Sequence, residues 1–268
     1  MHFNSSCSYA GLANMLELLN HDTEDFKIAL EIGLPYFVKY DSESECYQAG
    51  AMLQSKEWYD LYLKPRGFSY IQQVVSKTDI CSILQPGMML GVQINRQLKH
   101  AIVFINQING IYSFINNKWE ESQDVKTFEF TKDELIDKLA EKVVVGSIKT
   151  CECEKIDFLP YYIESISTWK KLKLELQQFT TKEQSSQNLY EAMDRLFRPL
   201  LVDGLAMMKL LDEQQILQYL ESLQKRFIEV VKRNQKVVLA DEFNCSLFDE
   251  SIDMIIDLVY KKIKRVDC

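Results

Sequence analysis

Glycine and proline are scarce, with nine and five in 268 residues. No glycine-rich run has the pattern of a phosphate-cradling loop, so a nucleotide cofactor is not expected. The seven cysteines, at 7, 46, 81, 151, 153, 245 and 268, follow no regular spacing, and a chain this long needs no disulfide framework. A reducing compartment is the expectation. Cys151-x-Cys153 lacks the second ligand pair or the nearby histidine that a zinc site of about four ligands requires, so no metal is expected. No apolar run approaches the roughly 18 residues of a membrane span. Polar residues at positions 4 to 8 break the charged-then-apolar pattern of a secretion signal. A cytoplasmic protein with no membrane contact is expected. Excess positive charge is also lacking. The net charge is −8 and the pI about 5.1, which argues against broad nucleic-acid binding.

What is present is an ordinary globular balance, 47% hydrophobic and 26% charged, enough to bury a sizeable core. The periodicity changes along the chain. Leu12, Met15, Leu16 and Leu19 carry helical spacing after Cys7, and Asn4, Ser5 and Ser6 are N-cap types just before it. A short helix is expected from Thr23 to Ile32, and a strand or lining segment from Tyr36 to Tyr40. A long helical pattern from Glu45 passes through Met52, Leu53, Trp58, Leu61 and Tyr62 and stops at Lys64-Pro65-Arg66-Gly67. Strands follow at Phe68 to Ile71, Met88 to Ile94, Lys99 to Ile108 and Ile111 to Ile115, and at Lys142 to Lys149. Asn109-Gly110 predicts a type I′ hairpin turn. Thr131-Lys132-Asp133-Glu134 reads as a capping box opening a helix. Beyond about residue 155 only helical periodicity is evident. The expectation is an α+β domain over 1–155, helices packed on an antiparallel sheet, and an all-helical domain over 156–268.

Three residues stand out for chemistry. Cys7 opens a helix, where outward N–H groups and the macrodipole favour a thiolate. His100 opens the second strand, and Asn116 closes its hairpin partner. Antiparallel pairing places a strand's first residue near its partner's last, so the two are expected to be neighbours. An asparagine oxygen there would orient the imidazole toward a nucleophile. Cysteine, histidine and asparagine would then form the thiol version of a serine triad. Adjacent Asn117 can stand in for Asn116. Each also has a plainer reading: Cys7 as a small core residue, His100 as a satisfied core histidine, Asn116 as turn chemistry.

The order Cys7, His100, Asn116 resembles the papain-like superfamily, and in particular its bacterial C39-peptidase-like branch. "NSSCSYAGLANML" resembles that branch's nucleophile helix and "HAIVFINQINGIYSFINN" its histidine hairpin. The resemblance covers residues 1 to about 150 and implies a papain-like catalytic domain. Such peptidases keep an oxyanion-hole glutamine six residues before the cysteine; here that position is Met1. The Cys7 N–H would supply one donor, and Asn4 or His2 a second. A weak oxyanion hole suits an activated thioester better than an amide. A papain-like domain followed by helices is similar to the butirosin-biosynthesis acyltransferase type and to closthioamide-type amide synthases. That likeness implies an acyl-S-Cys7 intermediate, formed from an acyl carrier protein thioester and passed to a small amine, making an amide bond in natural-product biosynthesis. Carrier proteins are acidic, so docking would use basic clusters: Lys170, Lys171 and Lys173; Arg195 and Arg198; Lys261, Lys262, Lys264 and Arg265. The alternatives are a C39-like cysteine peptidase, a thioesterase, or a non-catalytic binding module on the same fold.

Overall fold

A computed structural model describes residues 6–95, 98–117 and 125–266. In chain order its elements begin with helices α1 (Cys7–Glu17) and α2 (Asp25–Glu31), and strands β1 (Val38–Asp41) and β2 (Cys46–Ala49). Next come α3 (Lys56–Leu63), β3 (Phe68–Ser76), α4 (Ile80–Ile83), β4 (Met89–Asn95), β5 (Leu98–Ile108), β6 (Ile111–Asn117) and β7 (Val125–Thr131). They are followed by α5 (Lys132–Asp137), β8 (Lys142–Thr150), α6 (Leu159–Thr180), β9 (Glu183–Gln184) and α7 (Ser186–Ala192). A π-helical turn, Met193–Phe197, leads into α8 (Arg198–Leu201), α9 (Asp203–Leu211), α10 (Gln214–Lys232), β10 (Val237–Val238), α11 (Leu239–Glu242) and α12 (Ser246–Val266). The protein is α+β, and its main sheet is antiparallel.

The chain divides into two compact units: Met1–Ile32 with Gln54–Ile156, and Gly33–Leu53 with Asp157–Cys268. This differs from a single boundary near residue 155, because residues 33–53 group with the helices. It also corrects the expected long helix from Glu45. Asp41 to Cys46 is a hairpin turn in which Glu45 adopts φ +51, and β2 pairs antiparallel with β1. Buried Tyr47 and Ala49 alternate with half-buried Cys46 and Gln48, a period of two hidden within an apolar-rich segment. The helical unit therefore contains two small sheets, β1–β2 and β9–β10. Ser165 of α6 anchors the hairpin: the Val38 N–H donates to its Oγ (3.1 Å), and that hydroxyl donates to the Tyr36 carbonyl (2.7 Å). The helices close around Phe197, whose ring meets Phe179, Phe227 and Phe248 at 5.6, 4.5 and 5.5 Å.

In the first unit six strands run in the order β3-β8-β4-β5-β6-β7, every neighbouring pair antiparallel. The β5–β6 turn is Asn109-Gly110 with φ +52 and +82, the double left-handed geometry that a type I′ turn needs. Side chains alternate across the sheet. One face carries Leu90, Val92, Ile102, Phe104 and Phe114, covered by Ile80 of α4 and Leu135 of α5. α1 packs on the other face, buried through Tyr9, Leu12, Met15 and Leu16. Gly11 permits that approach: a Cβ there would lie 2.5 Å from the Met89 sulfur and 3.6 Å from a Val103 methyl. Each of these large side chains contributes on the order of 2 kcal/mol by leaving water. The helix begins where expected, at Cys7, because Ser6 caps it: the Tyr9 N–H donates to Ser6 Oγ at 3.3 Å. Ser6→Ala should lower the unfolding free energy by about 1 kcal/mol, read as a shift of the urea midpoint at unchanged slope.

Candidate functional site

The cap that starts α1 also fixes where its first residue lies. Cys7 is half-buried, in the first turn, where backbone N–H groups point outward along the axis. The nearby end of β5 runs past it, and the Ala101 N–H donates to Cys7 Sγ at 3.3 Å. Asn116, fully buried at the end of β6, closes the arrangement. Its Nδ2 donates to the Cys7 carbonyl at 2.9 Å and to the Ala101 carbonyl. One amide thus ties the start of the helix to both strands. Two residues expected to share chemistry, Cys7 and Asn116, are brought together.

The register places His100 on the core face of the sheet. The pairing register sets Val92 opposite His100, Leu90 opposite Ile102 and Met89 opposite Val103. Val92, Leu90 and Ile102 belong to the core on the face away from α1. His100 stands in that row, while Ala101 and Val103 stand in the row facing α1. The imidazole is 2% exposed, and its ring lies 5.5 Å from the Phe128 ring. The expected adjacency of His100 and Asn116 also shifts. Ile108 pairs with Ile111, a bulge lies between Phe104 and Asn106, and Val103 pairs with Ile115. Continuing that register sets Asn116 opposite Ile102, in the same row as His100 and two positions from it, with its amide on the Ala101 carbonyl. The physical reason is that β5 extends further past the turn than β6 does before Asn116.

Burial, with a smaller push from Lys126, lowers the His100 pKa to about 4. The ring is neutral at physiological pH. In an unfolded chain the imidazole titrates near about 6.5, so between that pH and about 4 the unfolded state binds a proton that the folded state refuses. Stability from this group is complete above about pH 6.5 and is lost as pH falls through that window. The loss should be on the order of 2 kcal/mol. Urea unfolding at several pH values checks this: His100→Gln should flatten the slope between pH 6.5 and 4 relative to the native chain.

A tyrosine that the sequence does not single out belongs to this neighbourhood. Tyr59 of α3 is buried, with its ring edge-on to Tyr9 at 5.5 Å and to Tyr70 at 4.8 Å. Its phenol is pushed well above the usual range by burial and by Tyr70, a hydrogen bond with Ser8 opposes this, and Cys7 adds a small upward push. Tyr59 is thus a neutral hydroxyl in the environment of Ser8 and Cys7. Helical spacing over 47–62 marks it only as an inward-facing aromatic, and pairing with α1 is what locates it.

His2 and Asn4, the expected second oxyanion donors, lie outside the described residues, as does the side chain of Asn117. Among the described residues no group of three or more His, Cys, Asp or Glu is placed to hold a metal ion, and no helix is long and apolar enough to cross a membrane. Several cations of the expected docking clusters are engaged within the helical unit. Lys173 pairs with Asp253 at 2.6 Å, Arg198 with Asp203 at 3.2 Å, and Lys171 sits 3.8 Å above the Tyr40 ring. Neither a family model nor a curated protein matches the chain.

Proposed function

We propose that the protein is a cysteine-dependent acyltransferase working through an acyl-S-Cys7 intermediate, on a papain-like domain. The observation that carries the reading is the Ala101 N–H of β5 directed at the sulfur of Cys7, which sits at the capped start of α1. The sulfur attacks a thioester carbonyl, the donor's C–S bond breaks, and the donor sulfur departs as a thiolate. An amine then attacks the Cys7 thioester. The Cys7 sulfur leaves with the bonding electrons, and the extra proton on nitrogen passes to water. The attacking form of the sulfur is the thiolate, its proton given up to water, and the Ala101 donor serves that form as it attacks and as it leaves. The oxyanion formed at each attack has the outward N–H groups of the first turn of α1 as donors.

The donor class follows from His100. An amide's nitrogen must be protonated to leave, and a general acid beside the sulfur normally does this. A thioester's leaving group needs no proton. A histidine buried against Phe128 with its pKa lowered to about 4 is a poor general acid, which suits a thioester donor, as on an acyl carrier protein, and an amine acceptor. Asn116 acts as a positioning residue for the Cys7 backbone.

Intact-mass spectrometry after mixing the chain with a panel of acyl carrier thioesters is the test. Acylation at Cys7, discharged by added amines faster than by water, is the expected result. Discharge by water alone makes it a thioesterase. Cys7-dependent cleavage of peptides makes it a peptidase, and no adduct with any donor overturns catalysis altogether.

A further inference from the structure

The helical unit carries an open groove of about 860 Å³, most of its polar wall residues exposed, that has no part in the chemistry above. Its walls are the C-terminal half of α6, with Glu175 and Gln178; the following turn, with Lys182; and α7 with the π-helical turn, carrying Asn188, Glu191 and Arg195. A volume of this size matches small-molecule sites, which span roughly 300–1,000 Å³.

The charges of the wall are not equally available. Glu175 is engaged: it accepts the Tyr47 hydroxyl at 2.7 Å and lies 3.8 Å from Lys171. Glu191 accepts the Gln187 amide at 2.7 Å. Among the described residues Lys182 and Arg195 have no ion-pair partner. With Glu175 offset by Lys171, two cations face one carboxylate across the groove. Arg195 projects from the π-helical turn, a conformation that costs regular hydrogen bonding and accompanies functional sites more often than chance. An arginine fork and a lysine point charge together suit a planar or tetrahedral oxyanion. Gln178 and Asn188 add neutral polar groups for the body of a ligand.

We propose that this groove binds a small molecule through an oxyanion headgroup, carboxylate or phosphate, held by Arg195 and Lys182. Glu191 opposes the anion and limits its affinity. The site stands apart from the acyltransferase reading and does not depend on it.

The test is calorimetric titration of the full chain with inorganic phosphate, pyrophosphate and glutarate at matched ionic strength. One saturable site is expected. Arg195→Gln or Lys182→Gln should weaken binding by about tenfold or more, the loss of one charged hydrogen bond. Glu191→Gln should tighten it several-fold, and Lys261→Gln, an exposed cation elsewhere, should change nothing. Preference for the phosphates supports a phosphate headgroup, and preference for glutarate a carboxylate. The proposal is overturned if none of the three probes binds saturably up to about 10 mM. It is also overturned if the Arg195 and Lys182 variants, folded by circular dichroism, bind as the native chain does.

Discussion

Cys7→Ala should abolish the covalent acyl adduct and lower acyl transfer from a carrier thioester by about 10³-fold or more. The fold should survive the change. Cys7 is half-buried, its side chain accepts a single N–H from Ala101, and the N-cap lies one residue earlier in Ser6. Alanine keeps the helix and removes only the sulfur, so the melting temperature should move little. Cys7→Ser gives a sharper comparison. The hydroxyl can still accept from Ala101, but it must lose its proton to attack, and His100, buried against Phe128 with its pKa lowered to about 4, is a weak base. A serine variant as inactive as the alanine variant is therefore expected. If serine retains transfer within about tenfold, a base acts on residue 7 and the thiolate route is wrong.

Asn116→Ala should lower the unfolding free energy by about 2–4 kcal/mol. Asn116 is fully buried, and its amide donates to the carbonyls of Cys7 and Ala101. Truncation leaves both acceptors short of a buried donor and adds a small void. Chemical denaturation measures the loss. A second readout separates anchoring from mere packing: the rate of Cys7 alkylation by iodoacetamide. If Asn116 holds the start of α1 against β5, freeing it loosens the Ala101 contact, and the alkylation rate should change several-fold under conditions where the variant is still folded. Asn116→Asp replaces a donor with acceptors facing two carbonyls and should be worse than alanine. An aspartate variant as stable as the native chain would refute this bonding pattern.

Cys7 was legible as a helix opener because capping is local. A serine before a helical apolar stripe satisfies a donor within the same turn, whatever packs around it. The same locality made the Asn109-Gly110 turn and the Thr131–Glu134 capping box readable, since each is set by the φ preferences and reach of two to four adjacent residues. The α+β character followed from periods of 3.6 and 2 written along the chain. Partners are not written there. Sequence marks His100 as the opening of a strand, but the face it occupies depends on pairing with Val92, and its offset from Asn116 depends on the bulge after Phe104. Moving one residue along a strand exchanges the two faces, so a local pattern that is right to within a residue still leaves the triad undecided. The hairpin at 38–49 was hidden for a related reason. Its buried residues pack against α6, more than a hundred positions away, and apolar content alone reads as helix until that neighbour is known. Amino-acid order by itself thus determined where helices start, where strands turn and that Cys7 sits at a capped end. Only tertiary structure decided that Ala101 and Asn116 bond to that cysteine and that His100 packs against Phe128, because register and burial are set by contacts between distant segments.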